Sequence, residues 1–354
     1  MFLSSFPKRR YPRMSPLSLG NIIRLERHRK HLTQSQLAAL LGISRQTLIH
    51  MEQDKVSIPF HIMARLQKIL DLSLDHLATL LHAPDSWRWF PDPPTHSGPV
   101  VAAIVFDQLI VAPTLSTLTQ DVSNGWWDAT TQTIHWYSQE AVLSQIFVAG
   151  CDPFLPWLAR SFHENHSAFR LIPFAMSSQK AFNALRSGLV HLAGSHLYNP
   201  QLRKYNQLST DQEKWAYTGY LEWEEGRVFS NKNADPLFWA LREPGSEALA
   251  LWERQHHGDP DRYHIQHFLS HPDLIRFVQS SGHQGVSIGS LAHLYGLSFE
   301  PWALEQYEWV CHPSAVNTPW FKAFISVLQQ TSLSQQLAVL PHQRCFNWAQ
   351  VRMD

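Results

Sequence analysis

Between residues 145 and 196 a short apolar run gives way three times to small polar residues, twice with a helical pattern following. No other feature constrains the fold of this chain as much. Residues 145–149 read as a buried strand, Gly150-Cys151-Asp152-Pro153 as a turn and helix start, and 154–162 as a helix. Residues 169–173 form the next strand, Ser177-Ser178 a cap, and 179–187 a helix stopped at Gly188. A third strand, 190–193, runs into Gly194-Ser195-His196. Strands alternating with helices predict a parallel sheet with right-handed crossovers. Ligands of such sheets sit beyond the carboxyl ends of the strands. Those ends carry Cys151, Asp152, Ser177, Ser178, Ser195 and His196, a set of small polar groups and helix N-termini suited to an anion or a small polar ligand.

The first 82 residues have a different character. Helical spacing begins at Leu19, with Ile22, Ile23 and Leu25 apolar. Thr33 is placed to cap a second helix carrying Leu37, Ala38, Leu40 and Leu41. Gly42 breaks that helix, and Ser44 caps a third running from Arg45 to about Gln53. Two more helical patterns follow, at 59–70 and 73–81, so residues 18–82 read as an all-α module. The tight Leu41-Gly42-Ile43-Ser44 link is a helix-turn-helix signature. Charge singles out the same end. Residues 1–82 hold 12 basic and 5 acidic side chains, a net of +7, and residues 83–354 hold 17 and 24, a net of −7, although the whole chain balances at 29 and 29. A basic head suits phosphate, and an acidic body should be held clear of a duplex. Residues 1–17, with Lys8, Arg9, Arg10 and Arg13, read as a flexible basic arm; no apolar segment follows to make a secretory signal, and Met14 offers an alternative start.

The stretch NIIRLERHRKHLTQSQLAALLGISRQTLIHMEQDK, residues 21–55, resembles the phage repressor/Cro type of helix-turn-helix domain. That resemblance implies a recognition helix lying in the major groove of operator DNA with its first residues facing base edges. Arg45 and Gln46 would read bases, since Arg matches guanine and Gln matches adenine there. Thr47 and His50 lie on a compatible face, and Gln34 and Ser44, at helix N-termini, would grip phosphates. A helical protein-interaction module is the alternative for this fold.

Residues 83–99 contain five prolines, which exclude helix and predict a semi-rigid extended linker, with Trp87, Trp89 and Phe90 as docking groups. Residues 100–144 carry short apolar or alternating runs around turns such as Asn124-Gly125 and read as a small β-rich segment. Trp126, Trp127 and Trp136 are expected as core aromatics rather than a base-stacking platform.

Four stretches of the body, VAGCDPFLPWLARSF, SSQKAFNALRSGLVHLAGSHLYNPQLRKYN, LREPGSEAL and GVSIGSLAHLYGLSFEPWALEQYEWV, occur in that order. They are similar to the periplasmic-binding-protein-like domain, related to molybdate-binding proteins, that some bacterial regulators carry behind a helix-turn-helix. The resemblance implies a multidomain chain: an all-α helix-turn-helix domain, a small β-rich segment, and at 145–354 a two-lobed α/β domain of the type 2 periplasmic-binding-protein kind. Its second lobe would span about 226–302, with the chain returning through residues 305–310. Arg242, Ser246 and Ser287 would join the strand-end residues as ligand contacts. The chain departs from the family pattern in having Glu247 and Leu249 after Ser246, where a second Arg is common, and His283-Gln284 where an acid leads the Gly-Val segment. Losing a cation while gaining Glu247 argues against a simple oxyanion pocket.

Other constellations compete. Gly285-Val286-Ser287-Ile288-Gly289 matches G-x-S-x-G, and Glu300 and His312 are the downstream nominees for a hydrolase triad, but no oxyanion loop accompanies them. His264, His267 and His271 share one helical face only if that helix is continuous, and a solvated polar face is the simpler reading. Glu224-Glu225 sits at no spacing that demands acid–base work. Three scattered cysteines, Cys151, Cys311 and Cys345, fit a reducing cytosol, and no apolar run reaches the roughly 18 residues of a membrane span. The chain is therefore expected to be a cytoplasmic, one-component, homodimeric regulator that binds double-stranded operator DNA and senses a small-molecule or oxyanion effector. No enzymatic activity, cofactor or metal is expected. The alternative is a body that serves as a ligand-free dimerisation or protein-interaction module, which a cleft filled by side chains would favour.

Overall fold

Each of the first three helices of the head begins where the sequence supplies a capping oxygen. In the computed structural model, which describes residues 18–30, 32–70, 87–118, 123–138, 140–166, 168–210, 212–230, 234–256 and 262–353, Ser18 accepts from the Asn21 amide and opens α1 (Leu19–Arg29). Thr33 and Gln36 form a reciprocal capping box on α2 (Gln34–Leu41). Gly42 takes a left-handed φ of 70°, which ends α2 at little steric cost, and Ser44 then caps α3 (Arg45–Glu52). With α4 (Phe60–Leu70), these helices bury Ile22, Ile23, Leu37, Leu41, Leu48, Ile62 and Leu66 in one core. Gly20 lets α1 and α3 touch, since a Cβ there would lie 2.3 Å from the Met51 carbonyl oxygen. The arm at 1–17 and the helix expected at 73–81 lie outside the described residues.

A five-stranded sheet follows, in the order β1-β3-β2-β4-β5, built from β1 (Trp87–Trp89), β2 (Gly98–Val105), β3 (Gln108–Pro113), β4 (Gly125–Asp128) and β5 (Thr133–Trp136). Trp87–Trp89 was expected within an extended linker, but it pairs parallel with β3. Its indoles explain the difference, because Trp87 and Trp89 both pack edge-on against Trp127, with Trp89 centred 5.0 Å away. Trp127 is core, whereas its neighbour Trp126 points the other way and stays 40% exposed.

The chain divides into two compact units, residues 1–116 with 120–145 and residues 117–119 with 146–354. In the second, β6 (Gln145–Gly150), α5 (Leu155–Asn165), β7 (Arg170–Ala175), α6 (Ser178–Arg186) and β8 (Leu192–Ser195) realise the strand–helix alternation, with β6 and β8 parallel. A short pair, β9 (Tyr198–Asn199) with β10 (Lys204–Tyr205), leads to the 14-residue β11 (Ala216–Phe229). Next come β12 (Phe238–Arg242), α7 (Glu247–Gln255), β13 (His264–Phe268), α8 (His271–Ser281), β14 (Gln284–Ile288) and α9 (Gly289–Leu294), then β15 (Ser298–Cys311), also of 14 residues. The unit ends with α10 (Pro319–Leu328), α11 (Thr331–Ala338), β16 (Gln343–Cys345) and β17 (Val351–Met353), the last two pairing with β11.

Strands β11 and β15 run antiparallel along their length and belong to both lobes. The Gly226–Phe229 end of β11 pairs with β14 of the second lobe, and the Glu308–Val310 end of β15 pairs with β8 of the first. The register slips between Glu225 and Gly226, at the crossing. These are the two strands that join a two-lobed α/β domain. Around them Tyr220, Trp223, Tyr307 and Trp309 are fully buried and in ring contact. Among the described residues no helix is long and apolar enough to cross a membrane.

Candidate functional site

The head presents its candidate face through α3. Leu48 and Met51 anchor the helix in the core and turn Ser44, Arg45 and Gln46 outward, all three exposed. Thr47 and His50 are half-buried beside them. Ser44 Oγ lies 2.8 Å from Thr47 Oγ1, and Gln46 Nε2 lies 2.9 Å from His50 Nε2, one helical turn on. Gln34 is held from behind by its Nε2–H, which donates to Glu52 at 2.9 Å. Five of the six residues nominated in the head therefore fall at two adjacent helix starts, and His50 follows one turn along α3.

In the second unit the nominated residues are buried where the lobes meet. Cys151, just past β6, lies 3.1 Å from His196 Nε2 and 3.7 Å from Ser178 Oγ. His196 Nδ1 lies 2.6 Å from Glu305 on β15. From the other lobe, Ser287 Oγ lies 2.9 Å from His271 Nδ1, and His271 Nε2 lies 3.7 Å from Glu225 on β11. His196, Glu225 and Glu305 each offer a ligand-type atom within 4.8 Å of the others. A polar chain thus runs from Cys151 through His196, Glu305, Glu225 and His271 to Ser287, from one lobe through both crossing strands to the other.

Burial sets the charges along this chain. Burial and the neighbouring Glu305 charge push Glu225 well above the ordinary carboxylate range. Glu305 is raised to about 7, chiefly by burial. Burial works against the His196 cation, but the charge and hydrogen bond of Cys151, with Glu225 and Glu247, raise it to about 9. His271 goes the opposite way, held well below its usual range by burial and by the Arg242 and His196 charges. The two imidazoles are thus moved in opposite directions, that of the first lobe up and that of the second down.

Arg242, at the end of β12, is 1% exposed and donates to the carbonyls of Phe268 and Leu269. Among the described residues its Nη1 has no hydrogen-bond partner, and neither has Ser177 Oγ. Arg242, Cys151 and Asp152 line a cavity of about 340 Å³ with walls from both lobes. A second cavity of about 430 Å³ takes Gln179 and Tyr198 from one lobe and Glu247 from the other. Both lie within the size range of small-ligand pockets. Contacts also tie the lobes directly: Glu243 accepts from the Ser177 amide at 3.1 Å and pairs with Lys180, and Glu247 accepts from the Tyr198 amide at 3.1 Å.

The nominated residues do not all converge. Cys151, Ser178 and His196 are in mutual contact, and Asp152 joins Cys151 and Arg242 around the first cavity. Ser246 instead caps α7, and Ser195 accepts from the Leu197 amide. The hydrolase nominees are elsewhere, with Glu300 beside Arg227 and His312 beside Ser314. The three histidines do not share a helix, because 264–268 is strand β13, paired with β12, and only His271 opens α8. Nor is His271 on a solvated face, being 1% exposed. Sequence reasoning weighed Glu225 and His271 and set both aside, and it did not nominate Glu305. A period-2 signal was there: Leu221, Trp223 and Glu225 alternate along β11, as do Glu305, Tyr307 and Trp309 along β15, so each acid continues a buried face.

Residues 23–77 match the helix-turn-helix family, and residues 159–329 match the PBP superfamily domain. No curated protein matches the chain. Among solved structures it is similar to a phosphate ABC transporter substrate-binding protein from Clostridium perfringens, at 11% identity and a TM-score of 0.46, over 57% of this chain and 99% of that one. It is similar also to the regulatory domain of a LysR family regulator from N. meningitidis, at 11% identity and a TM-score of 0.41, over 57% and 99%. The chain joins a helix-turn-helix domain of the Cro/C1 type to a two-lobed PBP superfamily domain.

Proposed function

We propose that the chain is a one-component transcription regulator whose head reads operator DNA and whose body senses a small polar or anionic ligand between its lobes. One observation carries the DNA reading. Arg45 and Gln46 stand exposed on the first turn of a helix whose other face is locked in the core. Such side chains read guanine and adenine in the major groove. A homodimer on a two-fold operator is the arrangement this domain type favours. On the sensor side, Arg242 Nη1 and Ser177 Oγ are buried donors waiting for an acceptor, and the first of them lines the cavity. Closing the lobes on a ligand would shift the population between two arrangements of the chain.

The ligand-free alternative has an observation of its own. Lys180, Glu243, the Ser177 amide, Glu247 and the Tyr198 amide already bind lobe to lobe through protein groups alone.

The DNA reading is tested by selecting a binding site from random duplexes and comparing wild type with Arg45→Ala and Gln46→Ala. Each bidentate base contact is worth about 1–3 kcal/mol, so each variant should lose roughly 5- to 150-fold in affinity for the selected site. Salt-sensitive binding to random DNA should persist. Unchanged affinity for the selected site in both variants would overturn the assignment.

A further inference from the structure

We infer that His196, Glu225 and Glu305 hold a divalent first-row metal ion, which pins the two strands that cross between the lobes. Among the described residues, both oxygens of Glu225 and Oε1 of Glu305 are buried without a hydrogen-bond partner. Three such acceptors in one place are costly unless something positive answers them. Arg242 donates no hydrogen bond to them: Nε and Nη2 go to backbone carbonyls and Nη1 has no partner among the described residues, so its charge acts on Glu225 only from a distance. One proton shared between the two carboxylates would still leave a Glu225 oxygen unanswered. A divalent cation bonded to Glu305 Oε1, one Glu225 oxygen and His196 Nδ1, whose proton it displaces, also sets its charge beside the remaining Glu225 oxygen.

The donor set fits. The three ligand atoms lie within 4.8 Å of one another, and a tetrahedral ion bonded at about 2.0–2.2 Å needs them at roughly 3.3 Å, a short adjustment. One imidazole nitrogen with two carboxylates suits zinc, manganese or cobalt. His196 turns Nδ1 to the acids and Nε2 to Cys151 Sγ at 3.1 Å, which gives a metal-bound histidine the outer partner that orients its ring. Three protein ligands also leave a coordination position for an outside donor.

Its location gives the ion a mechanical role. Glu225 is the first residue of β11 to pair with β14 of the second lobe, Glu305 lies on β15 opposite Trp223, and His196 follows β8 of the first lobe. An ion bonded to all three fixes the crossing where the register slips, and so fixes the angle at which the second lobe leaves. The metal site stands on geometry; its effect on operator binding rests on the regulator reading above.

The test uses full-length protein stripped with chelator, dialysed, and titrated with Zn2+ and Co2+. One ion per chain should be retained, with Glu225→Gln and Glu305→Gln each weakening retention at least about 10-fold. X-ray absorption of the zinc-loaded wild type, which needs no variant to fold, should show a single imidazole among oxygen neighbours. Failure to retain one ion per chain, retention unchanged in both variants, or two or more imidazoles at the zinc would each overturn the site, the last two because the chain has 21 histidines to offer. Affinity for the selected operator, measured with and without Zn2+, should differ at least about 5-fold. An equal affinity would overturn the regulatory effect while leaving operator reading intact, whereas absence of operator binding would count against the regulator reading and not against the ion.

Discussion

Glu52 is buried in the head because three donors meet its carboxylate: Arg27 Nε at 2.6 Å, Arg27 Nη2 at 3.2 Å and Gln34 Nε2 at 2.9 Å. Removing one partner of a buried, bidentate pair strands the other. Glu52→Ala should therefore lower the stability of the head by about 3–5 kcal/mol in urea unfolding, and a loss below about 1 kcal/mol would contradict this reading of the pair. Asp152 carries the opposite lesson. Burial lifts its carboxyl from 3.8 to about 7, so the folded chain keeps a proton that the unfolded chain releases above about pH 4. The folded state then binds more protons between about pH 4 and 7, and stability falls as pH rises through that window. Asp152→Asn, which keeps the acceptor for the Phe154 amide, should make the fall shallower in pH-dependent unfolding. A slope as steep as wild type would contradict it. At this scale the sequence made Arg45, Gln46, Cys151 and His196 legible, since each stands at a predicted helix start or strand end. Glu225 and Glu305 were not legible in that way, because a carboxylate inside a long strand looks solvated until its alternation with buried aromatics is followed.

Helix starts were the clearest elements, because a cap is local chemistry: Thr33 and Ser44 each accept from a backbone amide of the first turn, whereas Ser177 opens α6 without a side-chain cap and Ser246, expected as a ligand contact, caps α7. Strands depend on partners distant in sequence. Trp87–Trp89 becomes a strand only because β3 offers an edge and Trp127 an indole, and His264–Phe268 is strand rather than helix because β12 lies alongside. Gly194 shows how closely these strands approach one another. A Cβ there would lie 1.7 Å from Tyr307 Oη, a contact that no small shift relieves. Gly194→Ala should displace the Tyr307 ring and cost at least about 1–3 kcal/mol in thermal or urea unfolding of the body. A neutral substitution would mean that β8 and β15 are looser than their pairing implies.

For the whole molecule, a zero net charge concealed a +7 head and a −7 body, and the division into a helix-turn-helix domain and a two-lobed domain follows that split. The order of domains was legible because each carries its own period, helical in the head and strand–helix in the body. The polar chain through the crossing strands was not, since it joins residues from 151 to 305 that only the folded sheet brings together. The central claim is that occupancy between the lobes alters what the head does. The direct measurement is the dissociation constant of the selected operator, taken with molybdate, sulfate, phosphate and small carboxylates, for wild type and Arg242→Met. At least one compound should shift the wild-type value by about 5-fold or more and leave the variant unmoved. Intact operator binding that no compound shifts would contradict the sensor and leave the body as a ligand-free module.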